Sequence, residues 1–449
     1  MTDNELVNGE VRLGWLTLAN PSLPPIAAML KDTGFSIEIS VPLRDLVSRQ
    51  QPYSRWWTGS IVDHGGNDGG YGDVPPRVMQ FRDTDGFIVL IGCRKNGYKT
   101  VVGGTNSGYG RIVANYALLG GRSFKYEKIN GMRSDMPAFL QWIRLNSVTV
   151  ERQHDEDGRL RSAQVEMVSM NAVSLSKKLN LSMHSTWEGN KKLGQFVAQE
   201  HVVFETNVKD SKSWDEHISV HGAMLDLVSI SAWRPFGFGT IEVLRHDDSK
   251  SGPNGKKYDR WCRVVTHRLF KNKELSDDSE FLFPFSEVGP AGVKRWFSLR
   301  KDYDEALDPL FSILRSEDSL SDSNVVQSGI ALECLGYLID IKKNNGAHFN
   351  RRKQISFGDA LNVIVADMTV TPFKDASKTE EWVKRATAVY MGLKHYDRDT
   401  PDTLDSLNTL RDNLNVVRFW VALQIGAQPK TLSENLERDP LSKRFTEID

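Results

Sequence analysis

Two kinds of periodicity divide the chain. From Val11 to about Trp296, short runs rich in β-branched and aromatic residues are separated by Gly, Asn and Asp, the punctuation of strands and turns. Ser36-Ile-Glu-Ile-Ser-Val41 alternates polar and apolar residues with period two, as a strand with one buried face requires. Residues 86–92, 148–150, 163–168 and 196–204 read as further strands. Asn96-Gly97, Asn130-Gly131 and Asp157-Gly158 supply turn residues that tolerate positive φ. Two helical insertions are predicted, at 136–143 and 217–232. In the second, Ile218, Met224, Leu225 and Val228 fall near one face.

After Trp296 the period becomes 3.6. Leu307, Leu310, Phe311 and Leu314 mark one helix, Val326, Ile330, Leu335 and Leu338 a second, and Trp382, Ala386, Val389 and Leu393 a third. A fourth carries Leu404, Leu407, Leu410, Leu414, Val417 and Val421 on one stripe, beginning after Thr400-Pro401, where a hydroxyl cap would precede a first-turn proline. Four amphipathic helices in sequence predict a bundle. The expected architecture is α+β with two domains: a large β-rich unit over 1–298 and an all-α bundle over 299–449.

Composition narrows the function classes. With 449 residues, 39% hydrophobic and 26% charged, the chain can bury a substantial core. Net charge is -1, so no polybasic coat names a nucleic-acid partner. Through residue 300 there are 38 basic and 34 acidic residues, and after it 19 and 24; any RNA site must therefore be local. Cys93, Cys262 and Cys334 are far apart without CxxC spacing, which argues for a reducing, cytoplasmic setting. The amino terminus lacks the pattern of a signal peptide and no run is long enough to span a membrane.

Catalogue motifs are mostly missing: there is no GxxxxGK[ST] and no GxSxG. Gly65-Gly-Asn-Asp-Gly-Gly-Tyr-Gly-Asp73 reads as a mobile loop, and Gly103-Gly-Thr-Asn-Ser-Gly-Tyr-Gly110 as a hairpin loop before a phosphate cradle. His217 and His221 have the i, i+4 spacing of a metal pair, yet no HExxH and no third ligand accompany them, so a hydrogen-bonded helix face is preferred. Trp56, Trp57 and Trp142 could stack on a ligand but read first as core.

Chemistry concentrates at Lys394-His-Tyr-Asp-Arg398. A histidine that titrates near neutrality can exchange protons, and cations beside it can hold a phosphate. On a continuing helix Arg398 would share His395's face. Arg385 lies ~15 Å away along the axis, and a helix-terminal histidine bonded to the dipole is the bland alternative. Lys342 to Lys353 gathers five cations, His348 and Phe349, able to grip RNA phosphates and a base. Glu333 sits in the apolar run Ile330-Ala-Leu-Glu-Cys-Leu335 and needs a partner, expected among His395, Arg398 and Arg385.

Ala331-Leu-Glu-Cys-Leu335, Val389-Tyr-Met-Gly-Leu-Lys-His395 and the leucine-striped helix that follows resemble the C-terminal HEPN domain of ApeA-type anti-phage proteins. Leu118-Leu-Gly-Gly-Arg-Ser-Phe124, Leu140-Gln-Trp142 and residues 217–233 are similar to the ApeA N-terminal domain. The resemblance implies an abortive-infection protein whose β-rich sensor responds to a phage-derived trigger. Its helical domain would be a metal-independent, cofactor-free endoribonuclease acting on RNA, tRNA foremost, as a homodimer or higher homo-oligomer. His395 maps onto the family histidine as acid/base, with Lys394 and Arg398 as phosphate contacts, Arg351, Arg352, Lys353 and Tyr390 as substrate-binding residues and Glu333 as support. The family arginine has no counterpart, because its spacing falls on Ala388, Val389 and Tyr390. Either Lys394, Arg398 or a partner's cation substitutes, or the domain binds RNA or protein without cutting.

Overall fold

The computed structural model describes residues 4–44, 51–58, 71–100, 107–144, 147–252, 254–269, 280–316 and 320–446. Strands β1 (Val11–Thr17), β2 (Ile26–Asp32) and β3 (Ile37–Leu43) precede the single turn α1 (Arg55–Thr58). β4 (Val78–Arg82), β5 (Phe87–Ile91), β6 (Arg94–Thr100), β7 (Gly108–Ala114), β8 (Tyr116–Leu119) and β9 (Lys128–Asp135) lead to α2 (Ala138–Ile143). β10 (Val148–His154), β11 (Leu160–Met167), β12 (Val173–Ser174), β13 (Ser182–Lys192) and β14 (Gln195–Ser213) lead to α3 (Trp214–Ala232), and β15 (Ile241–Ser251) and β16 (Lys257–Val265) follow.

Fourteen strands form one antiparallel sheet, in the order β12-β13-β14-β9-β15-β16-β8-β5-β4-β1-β2-β3-β7-β6, while β10 and β11 pair separately. Burial in β3 alternates along the strand, with Ile37, Ile39, Val41 and Leu43 inside, as its period-two sequence predicts. Lys192 pairs with Gln195 across Leu193 and Gly194, whose φ of 73° suits a two-residue hairpin. Trp56 and Trp57 close a core against β1–β5, and Trp142 another under α2; all three are structural. Residues 65–70 and 103–106 of the two glycine-rich stretches lie outside the described residues, and from Gly108 the second is strand.

The helices are α4 (Phe285–Asp302), α5 (Asp304–Arg315), α6 (Asp322–Asn344), α7 (Phe357–Ala366), α8 (Ala376–Lys394), α9 (Thr403–Ile425) and α10 (Pro429–Leu436). The α+β division is therefore as expected, but the helical run begins at Phe285, and residue 298 falls inside α4. α4 is kinked at Gly289, whose φ of 53° and ψ of -168° are non-helical, with Pro290 starting the longer segment that follows. The cap of α9 is Asp402, whose carboxylate accepts from the Leu404 N–H at 3.1 Å, in place of Thr400. Nor is α9 a one-stripe helix: every residue from Thr409 to Ala422 is buried. It is the central helix of the bundle, and its polar side chains must find partners inside.

One hydrophobic core runs from the sheet through α3 into the bundle. Arg418 of α9, with 0% exposure, pins the junction. Its guanidinium donates to the carbonyls of Ile230 and Ser231 at 2.8 Å each and forms a bidentate pair with Asp439 at 2.6 and 2.7 Å. Trp296 of α4 donates to the Ala223 carbonyl of α3 at 2.7 Å.

Candidate functional site

The end of α8 is built by its own stop signal. Asp375 caps the start, accepting from the Lys378 N–H at 2.9 Å, and Trp382, Ala386, Val389 and Tyr390 hold one face inside. At Gly392 the returning chain crosses so closely that a Cβ would come 2.6 Å from the Asp399 carbonyl and 3.1 Å from Pro401. The helix ends at Lys394, and His395 turns extended at φ -122°, ψ 121°, while its N–H still bonds the Met391 carbonyl at 3.0 Å. The imidazole is left exposed between Lys394 and Tyr396. Arg398 is not on a continuing helix. It lies in the turn, where its N–H donates to the His395 carbonyl at 3.2 Å.

Lys394 is oriented by a chain of contacts across two helices. Its ammonium donates to the Tyr390 hydroxyl at 3.1 Å and sits 4.9 Å from the centre of that ring. The hydroxyl in turn donates to Glu333 of α6 at 2.9 Å, and the Lys394–Glu333 separation is 3.8 Å. The Tyr390 hydrogen bond first, then burial in the opposite sense and the Glu333 charge, leave the Lys394 pKa raised. It is thus a fixed cation and a poor proton donor. Glu333 finds its partner here, instead of at His395, Arg398 or Arg385.

Tyr390 itself is 2% exposed. Its ring lies 4.4 Å from Phe357 and flat against α6 at Gly329, where a Cβ would meet it at 2.3 Å. It therefore braces Lys394 and offers no face to a substrate, correcting the expected binding role.

The basic segment divides in the same way. Lys342 pairs with Asp302 at 3.8 Å, Lys343 with Asp367 at 2.7 Å and His348 with the fully buried Asp340 at 2.7 Å. Burial opposes ionisation of Asp340, but the His348 hydrogen bonds outweigh it and leave its pKa lowered. Arg351, Arg352 and Lys353 remain exposed in a turn that the Asn350 side chain ties together, accepting from the N–H groups of Arg352 and Gln354 at 2.8 and 3.1 Å. Phe349 anchors this turn by stacking on Tyr337 of α6 at 4.9 Å. Tyr337 follows Glu333 by four residues, so both lie on one face about 6 Å apart along the axis. The same face of α6 thus supports the exposed cations on one side and the Lys394-His395 end on the other.

Other candidates are absorbed by the fold. His217 and His221 both contact Thr206 Oγ1, at 2.7 and 3.0 Å, and His221 Nδ1 meets Ser134 Oγ at 2.6 Å. Both are fully buried between α3 and the sheet. Among the described residues no group of three or more His, Cys, Asp or Glu is arranged to hold a metal, and no helix is long and apolar enough to cross a membrane. Arg385 pairs with Asp412 of α9. The Tyr390 contacts and the Phe349–Tyr337 stack are tertiary arrangements that periodicity does not reveal; Phe349, read in the sequence as able to grip a base, is here stacked on Tyr337.

Residues 25–296 match the family model described as ApeA N-terminal domain 1. No curated protein and no solved structure matches the chain.

Proposed function

The chain belongs to the family defined by the ApeA N-terminal domain, which places it among anti-phage defence proteins, and from that premise we propose that its helical region is an HEPN-type endoribonuclease. The observation that carries this reading is His395, exposed at the end of α8 beside a lysine held in place by Glu333 and Tyr390. An imidazole in that position can accept the proton of a ribose 2′-OH as the oxygen attacks the adjacent phosphorus. Lys394 and the exposed Arg398 would balance the charge that builds on the phosphoryl oxygens. The 5′-oxygen leaves with a proton from water, His395 returns the proton it accepted to solvent, and the RNA ends in a 2′,3′-cyclic phosphate. Nothing in this step calls for a metal, and DNA, without the 2′-OH, is no substrate. Arg351, Arg352 and Lys353 would hold flanking phosphates, with tRNA the first substrate to try.

A homodimer fits the same face. Ile330, Tyr337 and Ile341 are 47%, 36% and 41% exposed along one side of α6, an apolar stripe that a second copy would cover. The alternative, a domain that binds RNA or protein without cutting, is favoured by one observation: no arginine stands at 388–390, the positions with four to six residues between them and His395.

Purified full-length protein and its His395→Ala variant, incubated with total tRNA in EDTA, separate the two. Cleavage to cyclic-phosphate ends by the wild type alone is the expected outcome. Equal cleavage by both, or none by either with phage lysate present, would overturn the nuclease reading.

A further inference from the structure

A second cationic site lies on the opposite half of α8. Arg385 of α8, Arg411 of α9 and Arg444 of the carboxy-terminal segment all converge on one carboxylate, Asp412, which is 2% exposed. The terminal segment is laid along α9 by paired hydrogen bonds between Asn408 and the Phe445 backbone, both 3.0 Å, and by Asn415 donating to the Leu441 carbonyl at 3.1 Å. That path brings Arg444 Nη2 to 3.5 Å from Asp412. A cavity of about 230 Å³ opens over the cluster, with Lys374 and Lys378 on its wall.

The charges do not balance internally. Five cations line the cavity against two carboxylates, and one of these, Glu381, is already bonded by Lys378 at 2.8 Å. Arg411 is 9% exposed; its Nη1 donates to the Ser442 carbonyl at 3.0 Å, yet its Nε is buried without a hydrogen-bond partner among the described residues. A buried donor in that state is costly unless a ligand completes it. Crowding is felt at Arg385, whose pKa is lowered by burial first, with Asp412 opposing and Arg444 adding to the effect. An excess of about three positive charges suits a doubly charged oxyanion better than a single carboxylate, and several guanidinium forks together are the usual donors to phosphate. The cavity exceeds several water volumes, enough for a phosphate ester.

We propose that this cluster of Arg385, Arg411, Arg444 and Lys374 is a phosphate-binding site, separate from His395, that takes the phosphate of a nucleotide or of an RNA backbone. The site lies ~15 Å along α8 from the histidine, and the proposal stands whether or not that histidine cuts RNA.

Titration calorimetry of the full-length protein with inorganic pyrophosphate tests it. Saturable binding at one site is expected, weakened at least tenfold in the double variant Lys374→Gln/Arg444→Gln. Both side chains are substantially exposed, and an unchanged melting temperature will verify the fold. Arg411→Lys, which keeps the charge and removes the fork, should also weaken binding. Displacement by a single-stranded RNA decamer would assign the phosphate to a backbone; displacement by ATP but not RNA would assign it to a free nucleotide. Absence of saturable binding, full affinity in the double variant, or loss of binding in His395→Ala would overturn the proposal.

Discussion

On α3, His217 and His221 have no exposed surface, and three of their four ring nitrogens meet Thr206 or Ser134, whereas at the end of α8 His395 stands in solvent beside Lys394 and Arg398. The first pair has the better motif spacing and the second the better surroundings. Histidines at i and i+4 meet inside the core, while Arg418 and Asp439 form a second buried polar group at the other end of α3. The residues at the end of α8 keep their charged and ring groups at the surface, even where a buried side chain such as Tyr390 steadies one of them. Spacing therefore identifies which residues meet, and exposure identifies which of them can act.

The sharpest way to break this contrast is at Arg418. Arg418→Ala leaves Asp439 buried and unpaired and releases the carbonyls of Ile230 and Ser231, and should cost about 3–5 kcal/mol, read by chemical denaturation. A loss below about 1 kcal/mol would mean that this group does not hold the junction.

Acid probes the histidine pair. Burial first, and His217 second, push the His221 imidazole down to about 3, and burial likewise lowers His217. Unfolded, each returns to its ordinary value near 6.5. Below about pH 6.5 the unfolded chain then binds protons that the folded one refuses. Stability is complete above that pH and falls as pH drops, for His221 down to about 3, by up to about 1.4 kcal/mol per unit for each proton refused. Denaturation curves at pH 7, 6 and 5 should show the decline, and His221→Asn should flatten it; an equal slope in the variant would assign the acid sensitivity elsewhere.

The exposed rim should respond least. Tyr390→Phe removes the hydroxyl between Lys394 and Glu333, with an expected loss of about 1 kcal/mol and a Lys394 pKa that falls toward its ordinary value in an NMR titration. His395→Ala should change stability by less than about 0.5 kcal/mol. A larger loss there would give that histidine a structural role.

Much of the fold was legible because burial imposes a period. β3 and β5, and helices α5, α6, α8 and α9, lie where alternation or a 3.6-residue stripe predicts them. α4 was hidden by Gly289-Pro290, and α7 by its short Val-Ile-Val run, which carries no helical stripe. The stripe on α9 concealed the opposite face, where Asn413 accepts from the Trp382 indole at 3.0 Å and Arg418 meets Asp439. At the site, His395 and the cations were visible as types in a row. The partnership of Glu333 with Tyr390, separated by 57 residues, and the stack of Phe349 on Tyr337 depend on how helices pack, which local patterning does not encode. Arg398 was misplaced because a stripe predicts where a helix runs better than where it stops.

The continuous core across α3, α4 and α9 also bears on inheritance. A β-rich unit and a helical unit joined by a hinge can be exchanged between genes as cassettes. Here the carbonyls of Ile230 and Ser231 are filled by a guanidinium from α9 and the Ala223 carbonyl by an indole from α4, so a swapped bundle would have to bring both donors in register. Recombination at this boundary is constrained to relatives that share the junction, and the two halves are expected to descend together.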